Sequence, residues 1–147
     1  MKRQSGFTLP ELLVTMAITG ALATVVGSSV FHIFNVTEYG NDRLQALHEL
    51  QNAGFWLNND GQMAVSAVGD GTLVLTLPTS ATVTYALSGT NLTRTSGSSV
   101  ITLAQNISSV SFTVSGRLVT MDLTSAPAGR PNVSEQGTYV VYLRPQP

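Results

Sequence analysis

The sequence predicts an α+β fold: one long N-terminal α-helix, membrane-spanning in its first half and amphipathic in its second, packed on a C-terminal antiparallel β-sheet head. Three observations predict it. An almost unbroken apolar run extends from Phe7 to Phe34. A more polar stretch follows, to about Met63, in which apolar residues recur at three or four. Beyond Val68 they alternate with polar residues between tight-turn signals.

The first element is read from its length and its flanks. Phe7 to Phe34 as a helix spans about 42 Å at ~1.5 Å per residue, against a hydrocarbon core of ~30 Å. Lys2 and Arg3 before the run place its N-terminal end in the cytoplasm and the rest of the chain outside. Three readings are open on this pattern: a cleaved secretory signal, an uncleaved anchor, or a segment processed on the cytoplasmic side and then retained. Ala21-Leu22-Ala23 has the small-x-small form of a signal-peptidase site. Against a cleaved signal, Glu11 heads the apolar run, and the run continues through Val25, Val26, Val30, Phe31, Ile33 and Phe34, which a discarded signal does not need.

Glu11 is the residue that asks for an explanation. A carboxylate buried in lipid is destabilising unless it neutralises or finds a cation, and a free α-amine on a neighbouring chain is such a cation. Snorkelling to the nearby interface is the simpler alternative, since Glu11 lies only one turn into the helix. Gly20, Gly27 and Ser28 are small enough to admit a neighbouring helix, and they are also ordinary residues of membrane helices.

The string Gly6-Phe7-Thr8-Leu9-Pro10-Glu11-Leu12-Leu13-Val14 resembles the cleavage and methylation motif of type IV pilins and type II secretion pseudopilins. In that family a short basic leader ends in Gly and the mature chain begins with Phe. The resemblance implies that a prepilin peptidase cuts between Gly6 and Phe7 and methylates the new amine of Phe7, and that Glu11 then serves subunit assembly. It implies as partners that peptidase, other pilin or pseudopilin subunits, an inner-membrane assembly platform, and membrane lipid before assembly. Nucleic acid would join them only if the machine were a competence system. Two residues depart from the pattern: Gln4 and Ser5 rather than basic residues precede Gly6, and Pro10 stands where an aliphatic residue is usual. Proline is tolerated there because N–H groups in the first helical turn have no intrahelical partner. The motif covers residues 1 to about 34; the rest has a diffuse likeness to minor pilins and minor pseudopilins.

The second half of the helix, from Asn35 to about Met63, offers Leu44, Leu47, Leu50, Gly54 and Leu57 as one stripe, with Phe55 and Trp56 as core anchors or interface contacts. Gly40 and Gly54 each weaken a helix by ~1 kcal/mol relative to Ala, so bends are expected near them, and Asp60-Gly61 is a natural stopping place. Strands follow. Leu73-Leu75-Leu77 come after an Asp70-Gly71 turn. Val83-Tyr85-Leu87, Leu92 to Thr95 and Val100 to Ala104 come next, then Ile107 to Ser115, Val119-Met121-Leu123 after Gly116, a loop over 125–132, and a last strand from Thr138 to Leu143. Helix first and tightly connected strands after predict an antiparallel meander. The expected organisation is a leader at 1–6, a transmembrane and assembly helix at 7–34, its amphipathic continuation at 35–64 and the β head at 65–147.

Composition narrows the function classes. The chain has 147 residues, of which only 10% are charged, against roughly 25% in ordinary soluble domains, so Ser, Thr, Asn and Gln must supply the wetted surface. Beyond residue 6 there are five scattered arginines and no lysine against eight carboxylates. Nucleic-acid binding needs clustered basic residues, which are lacking. With no cysteine, disulfides and thiolate chemistry are excluded.

No catalytic constellation emerges. His32 lies in the apolar run and His48 on the polar helix, neither beside a plausible nucleophile, and no phosphate loop, G-x-S-x-G or H-E-x-x-H occurs. Asp60, Asp70, Asp122 and Glu135 read as solvated turn residues, too sparse for a Ca²⁺ loop. Sequons at Asn35, Asn91, Asn106 and Asn132 arise readily by chance in so Ser/Thr/Asn-rich a chain. The expectation is therefore a structural subunit without enzymatic activity, cofactor or metal, held in the inner membrane by one pass with its head extracytoplasmic, and lying at the cell surface or in a periplasmic fibre after assembly. Its rival is a membrane-anchored, adhesin-like binding module whose helix only tethers it.

Overall fold

A computed structural model of the chain describes residues 8–127 and 133–145. The leader residues and Phe7, the 128–132 part of the expected loop with the sequon at Asn132, and Gln146 and Pro147 lie outside the described residues. The fold is α+β, with the helix α1 at Leu9–Met63 followed by eight antiparallel strands. The chain divides into two compact units, Met1–Gly40 and Asn41–Pro147.

In the first unit the helix buries nothing. Its leucines, valines and phenylalanines from Leu9 to Phe34 stand 45–74% exposed. The segment is long and apolar enough to cross a membrane. Its hydroxyl side chains do not spoil that surface, because each one turns back onto the helix. Thr15 donates to the carbonyl of Leu12, Thr19 to Thr15, Thr24 to Gly20, Ser28 and Ser29 to Val25, and Thr37 to Ile33, at 2.7–2.9 Å. A hydroxyl satisfied three or four residues back costs little in lipid.

In the second unit the buried line of the helix is Ala46, Leu50, Ala53, Gly54, Leu57, Asp60 and Gly61, continued by Ala64 just past its end. This line lies beside the expected stripe. Leu50, Gly54 and Leu57 belong to both, whereas Leu44 is 57% exposed. Small residues displace the leucines because strands press close: a Cβ on Gly54 would lie 2.2 Å from Tyr139 Cε1, and one on Gly61 2.5 Å from Val141 Cγ1. Neither Gly40 nor Gly54 interrupts the helix, which runs on past Asp60-Gly61 to Met63; the close approach of β8 requires the glycine at Gly54, whereas Gly40 lies in open space. Phe55 is not a core anchor, being 67% exposed, while Trp56 is half-buried.

The strands form two sheets rather than one. β1 (Ser66–Asp70), β2 (Thr72–Thr76), β3 (Thr82–Ser88), β4 (Asn91–Ser96) and β5 (Ser99–Ala104) make a five-stranded meander, and β6 (Ile107–Ser115), β7 (Leu118–Ser125) and β8 (Glu135–Tyr142) a three-stranded one. β1 already starts at Ser66 and β8 at Glu135, both earlier than the apolar alternation suggests, since edge residues need pair on one side only. Gly71 and Gly116 turn their hairpins at φ of 68° and 60°, a left-handed conformation that favours glycine. The sheets meet where β1 crosses β6: a Cβ on Gly69 would stand 3.1 Å from Val114 Cγ2 and 3.3 Å from the carbonyl oxygen of Phe112.

One core serves both sheets and the helix. Leu73, Leu75, Val83, Tyr85 and Leu92 enter it from the first sheet, Val119, Met121, Leu123 and Val141 from the second, and Leu50, Ala53 and Leu57 from the helix. Their opposite neighbours along each strand, mostly Ser and Thr, take the solvent side. That alternation is how a chain with few charges covers its surface.

Candidate assembly site

The site predicted from sequence begins at the first described residues. Pro10 fits the first turn of α1, and Thr8 precedes the helix as its N-cap. Glu11 sits three residues on and turns back: its Oε2 accepts the Thr8 backbone N–H at 3.0 Å and the Thr8 hydroxyl at 2.9 Å. This is the reaching-back half of a capping box, and it places a carboxylate at the positive end of the helix macrodipole. Both bonds go to Oε2, and among the described residues Oε1 accepts none. The sequence reading missed this local partner, although Thr8-x-x-Glu11 ahead of an apolar run is its known signature. Gly6 and Phe7, the expected cleavage and methylation residues, lie outside the described residues, so no geometry joins them to Glu11.

In the head, three of the four carboxylates expected to be solvated turn residues depart from that: Asp122 lies within β7 and accepts the Thr138 hydroxyl at 2.6 Å, Glu135 opens β8 and pairs with Arg43, and Asp60 departs furthest. Asp60 is fully buried rather than a solvated turn residue. Its Oδ1 accepts Arg94 Nη2 at 2.9 Å, and its Oδ2 accepts Arg94 Nε at 2.6 Å together with the hydroxyl of Tyr85. The guanidinium of Arg94 lies 4.8 Å above the Trp56 ring centroid, which adds a cation–π contact. Burial pushes the Tyr85 phenol well above its usual range, and its bond to Asp60 pushes it further. The bond to Asp60 likewise raises Arg94. A carboxylate saturated by a guanidinium and a phenol that holds its proton offer neither a base nor a nucleophile, so this cluster ties elements together.

Other head residues are engaged in the same manner. Arg43 Nε donates to Glu135 Oε1 at 2.6 Å, and Arg117 donates to the carbonyl of Leu143. His32 and His48 are exposed and share no cluster. Among the described residues no group of three or more His, Cys, Asp or Glu could hold a metal ion.

Comparison with known proteins adds one match. Residues 1–27 fit the family model described as the prokaryotic N-terminal methylation motif. It covers the basic stretch, Gly6, Phe7, the Thr8–Glu11 cap and most of the apolar run. No curated protein and no solved structure matches the chain. The motif supports processing of the pilin and pseudopilin type, a membrane anchor and a pilus-type structural role for the chain.

Proposed function

We propose that this chain, which carries the N-terminal methylation motif of type IV pilins and pseudopilins, is a structural subunit cleaved after Gly6 by a prepilin peptidase, methylated on Phe7 and assembled through its N-terminal helix. The observation that carries the reading is the contiguous order of a basic start, the Gly6-Phe7 junction, Glu11 in the first helical turn and an apolar helix exposed along its length. Before assembly that helix rests in lipid. After it, the same apolar surface is covered by the helices of other subunits, and Glu11, whose Oε1 accepts no bond among the described residues, meets the methylated amine of a neighbour's Phe7. Methylation preserves the positive charge, so the pair fixes the axial register of adjacent subunits. In this reading the head stays extracytoplasmic throughout.

A nucleic-acid role for the head gains no support from its charges. Among the described residues Arg43, Arg94 and Arg117 are held by Glu135, Asp60 and the Leu143 carbonyl, and the exposed arginines are Arg43, Arg117 and Arg144. Such a surface lacks the clustered cations that neutralise phosphates.

Mass spectrometry of the mature chain tests the reading. A first residue of N-methyl-Phe7 is expected; a chain starting at Thr24, or still carrying Met1, overturns it. Glu11→Leu separates assembly from tethering, because a mere anchor tolerates the change and fibre incorporation does not.

A further inference from the structure

We propose that the junction between the helix and the head is a tension clamp, a set of polar cross-ties that carries pull along the helix into both sheets simultaneously. The inference rests on the fibre reading, since a fibre subunit is one whose helix feels sustained axial pull.

The ties are spread along the helix rather than gathered at one end. Arg43 binds Glu135 at the start of β8. Glu49 accepts the backbone N–H of Gln105 at 2.8 Å, and Asn52 donates to the carbonyl of Leu103 at 2.6 Å, which closes the outer edge of β5. Asp60 binds Tyr85 on β3 and Arg94 on β4. Ala64, just past the helix, accepts the backbone N–H of Arg144 at 2.9 Å.

β8 runs alongside the helix in the same direction, with Glu135 at Arg43, Tyr139 at Gly54, Val141 at Gly61 and Arg144 at Ala64. Arg43 to Ala64 rises about 32 Å, and Glu135 to Arg144 about 30 Å, at ~1.5 and ~3.3 Å per residue. Ties set across such a pair of rods all strain together when the helix is pulled along its axis. Peeling from one end would break them singly.

Asp60 shows that equilibrium stability alone does not account for the arrangement. It stands in the last turn of the helix, where the macrodipole disfavours negative charge, and a buried ion pair is often no more stabilising than apolar residues of the same volume. What the pair supplies is short range and direction: a small axial slip breaks its three hydrogen bonds, whereas apolar contacts slide. Forced unfolding responds to the barrier rather than to the equilibrium. The chain has no cysteine with which to staple helix to sheet.

The same lack of cysteine allows clean handles for single-molecule pulling on the full chain in detergent. Asn41→Cys with Ser98→Cys, in the turn beyond Arg94, pulls the helix and the sheet past each other. Asn41→Cys with Asn91→Cys, at the other end of β4 near Ala104, peels them apart. The first pair is expected to rupture at about two-fold higher force, and Asp60→Leu with Arg94→Met, made in a Tyr85→Phe background so that no buried hydroxyl is orphaned, to remove most of that difference while leaving the denaturant midpoint of that background in place. Asn52→Leu, an exposed tie, is expected to lower the same force by a smaller step, so the test stands even if the double variant fails to fold. Equal forces in the two directions, or a shear force unmoved by these substitutions, overturn the clamp. Rupture is read on single chains, so its failure is distinct from that of the fibre reading, which shows in the mature N-terminus.

Discussion

The hydroxyl of Tyr85, on β3, donates to the carboxylate of Asp60, in the last turn of a helix 25 residues earlier. Burial and this bond make the folded head hold the Tyr85 proton beyond the pH at which the unfolded chain releases it, near ~10. Below pH ~10 both states are protonated and the stabilisation is complete. Above it the unfolded state gives up a proton the folded state keeps, so stability falls as pH rises. Arg94, also shifted upward, acts in the same direction at higher pH. Denaturant midpoints are thus expected to hold from about pH 8 to about pH 9 and to drop as pH rises past about 10, and Tyr85→Phe to flatten that drop while lowering the midpoint at pH 8. A residual slope remains from Tyr139, which burial also raises.

Arg94→Met is expected to cost roughly 3–5 kcal/mol, because it leaves Asp60 buried without its cation. Adding Asp60→Leu should recover part of the loss, the rest remaining because the buried Tyr85 hydroxyl is left without its partner. Guanidinium chloride unfolding of the single and double variants checks this, and a double variant worse than the single one contradicts the pairing seen here.

Glycine substitutions should divide by location. At Gly40, where an added Cβ meets nothing within 4 Å, alanine is expected to stabilise the helix by up to ~1 kcal/mol. At Gly54 the new Cβ clashes with the Tyr139 ring, and overpacking of about 1–3 kcal/mol outweighs the propensity gain. Thermal melts followed by circular dichroism should move in opposite directions for the two.

At the N-terminus, Thr8→Val removes the hydroxyl bond to Glu11 and keeps the backbone one, whereas Glu11→Gln keeps a bonding group and removes the charge. If the charge meets a neighbour's amine, Glu11→Gln cuts fibre yield sharply with the subunit still processed and in the membrane, and Thr8→Val has the smaller effect. Immunoblots of sheared fibre and membrane fractions distinguish them; a Glu11→Gln subunit that assembles normally contradicts the assigned role.

The two ends of the chain differ in how far sequence could reach. The membrane-length helix, its Thr8–Glu11 cap and the glycine turns follow from residues within a few positions of each other, so periodicity and motif spacing suffice for them. Even the missed cap was written in local spacing. Asp60 was different: an aspartate before a glycine looks like a turn, and only Arg94 and Tyr85, brought together by the meander, make it a buried ligand of two strands.

Sequence by itself determined that a long apolar helix precedes antiparallel strands, and that a pilin-type processing motif opens the chain, because those properties belong to contiguous residues. Tertiary structure alone decided that the strands split into two sheets, that Gly54 and Gly61 rather than leucines face β8, and that Asp60 is buried. Each of those outcomes depends on which distant side chains come within a few ångströms, and a linear pattern does not carry that distance.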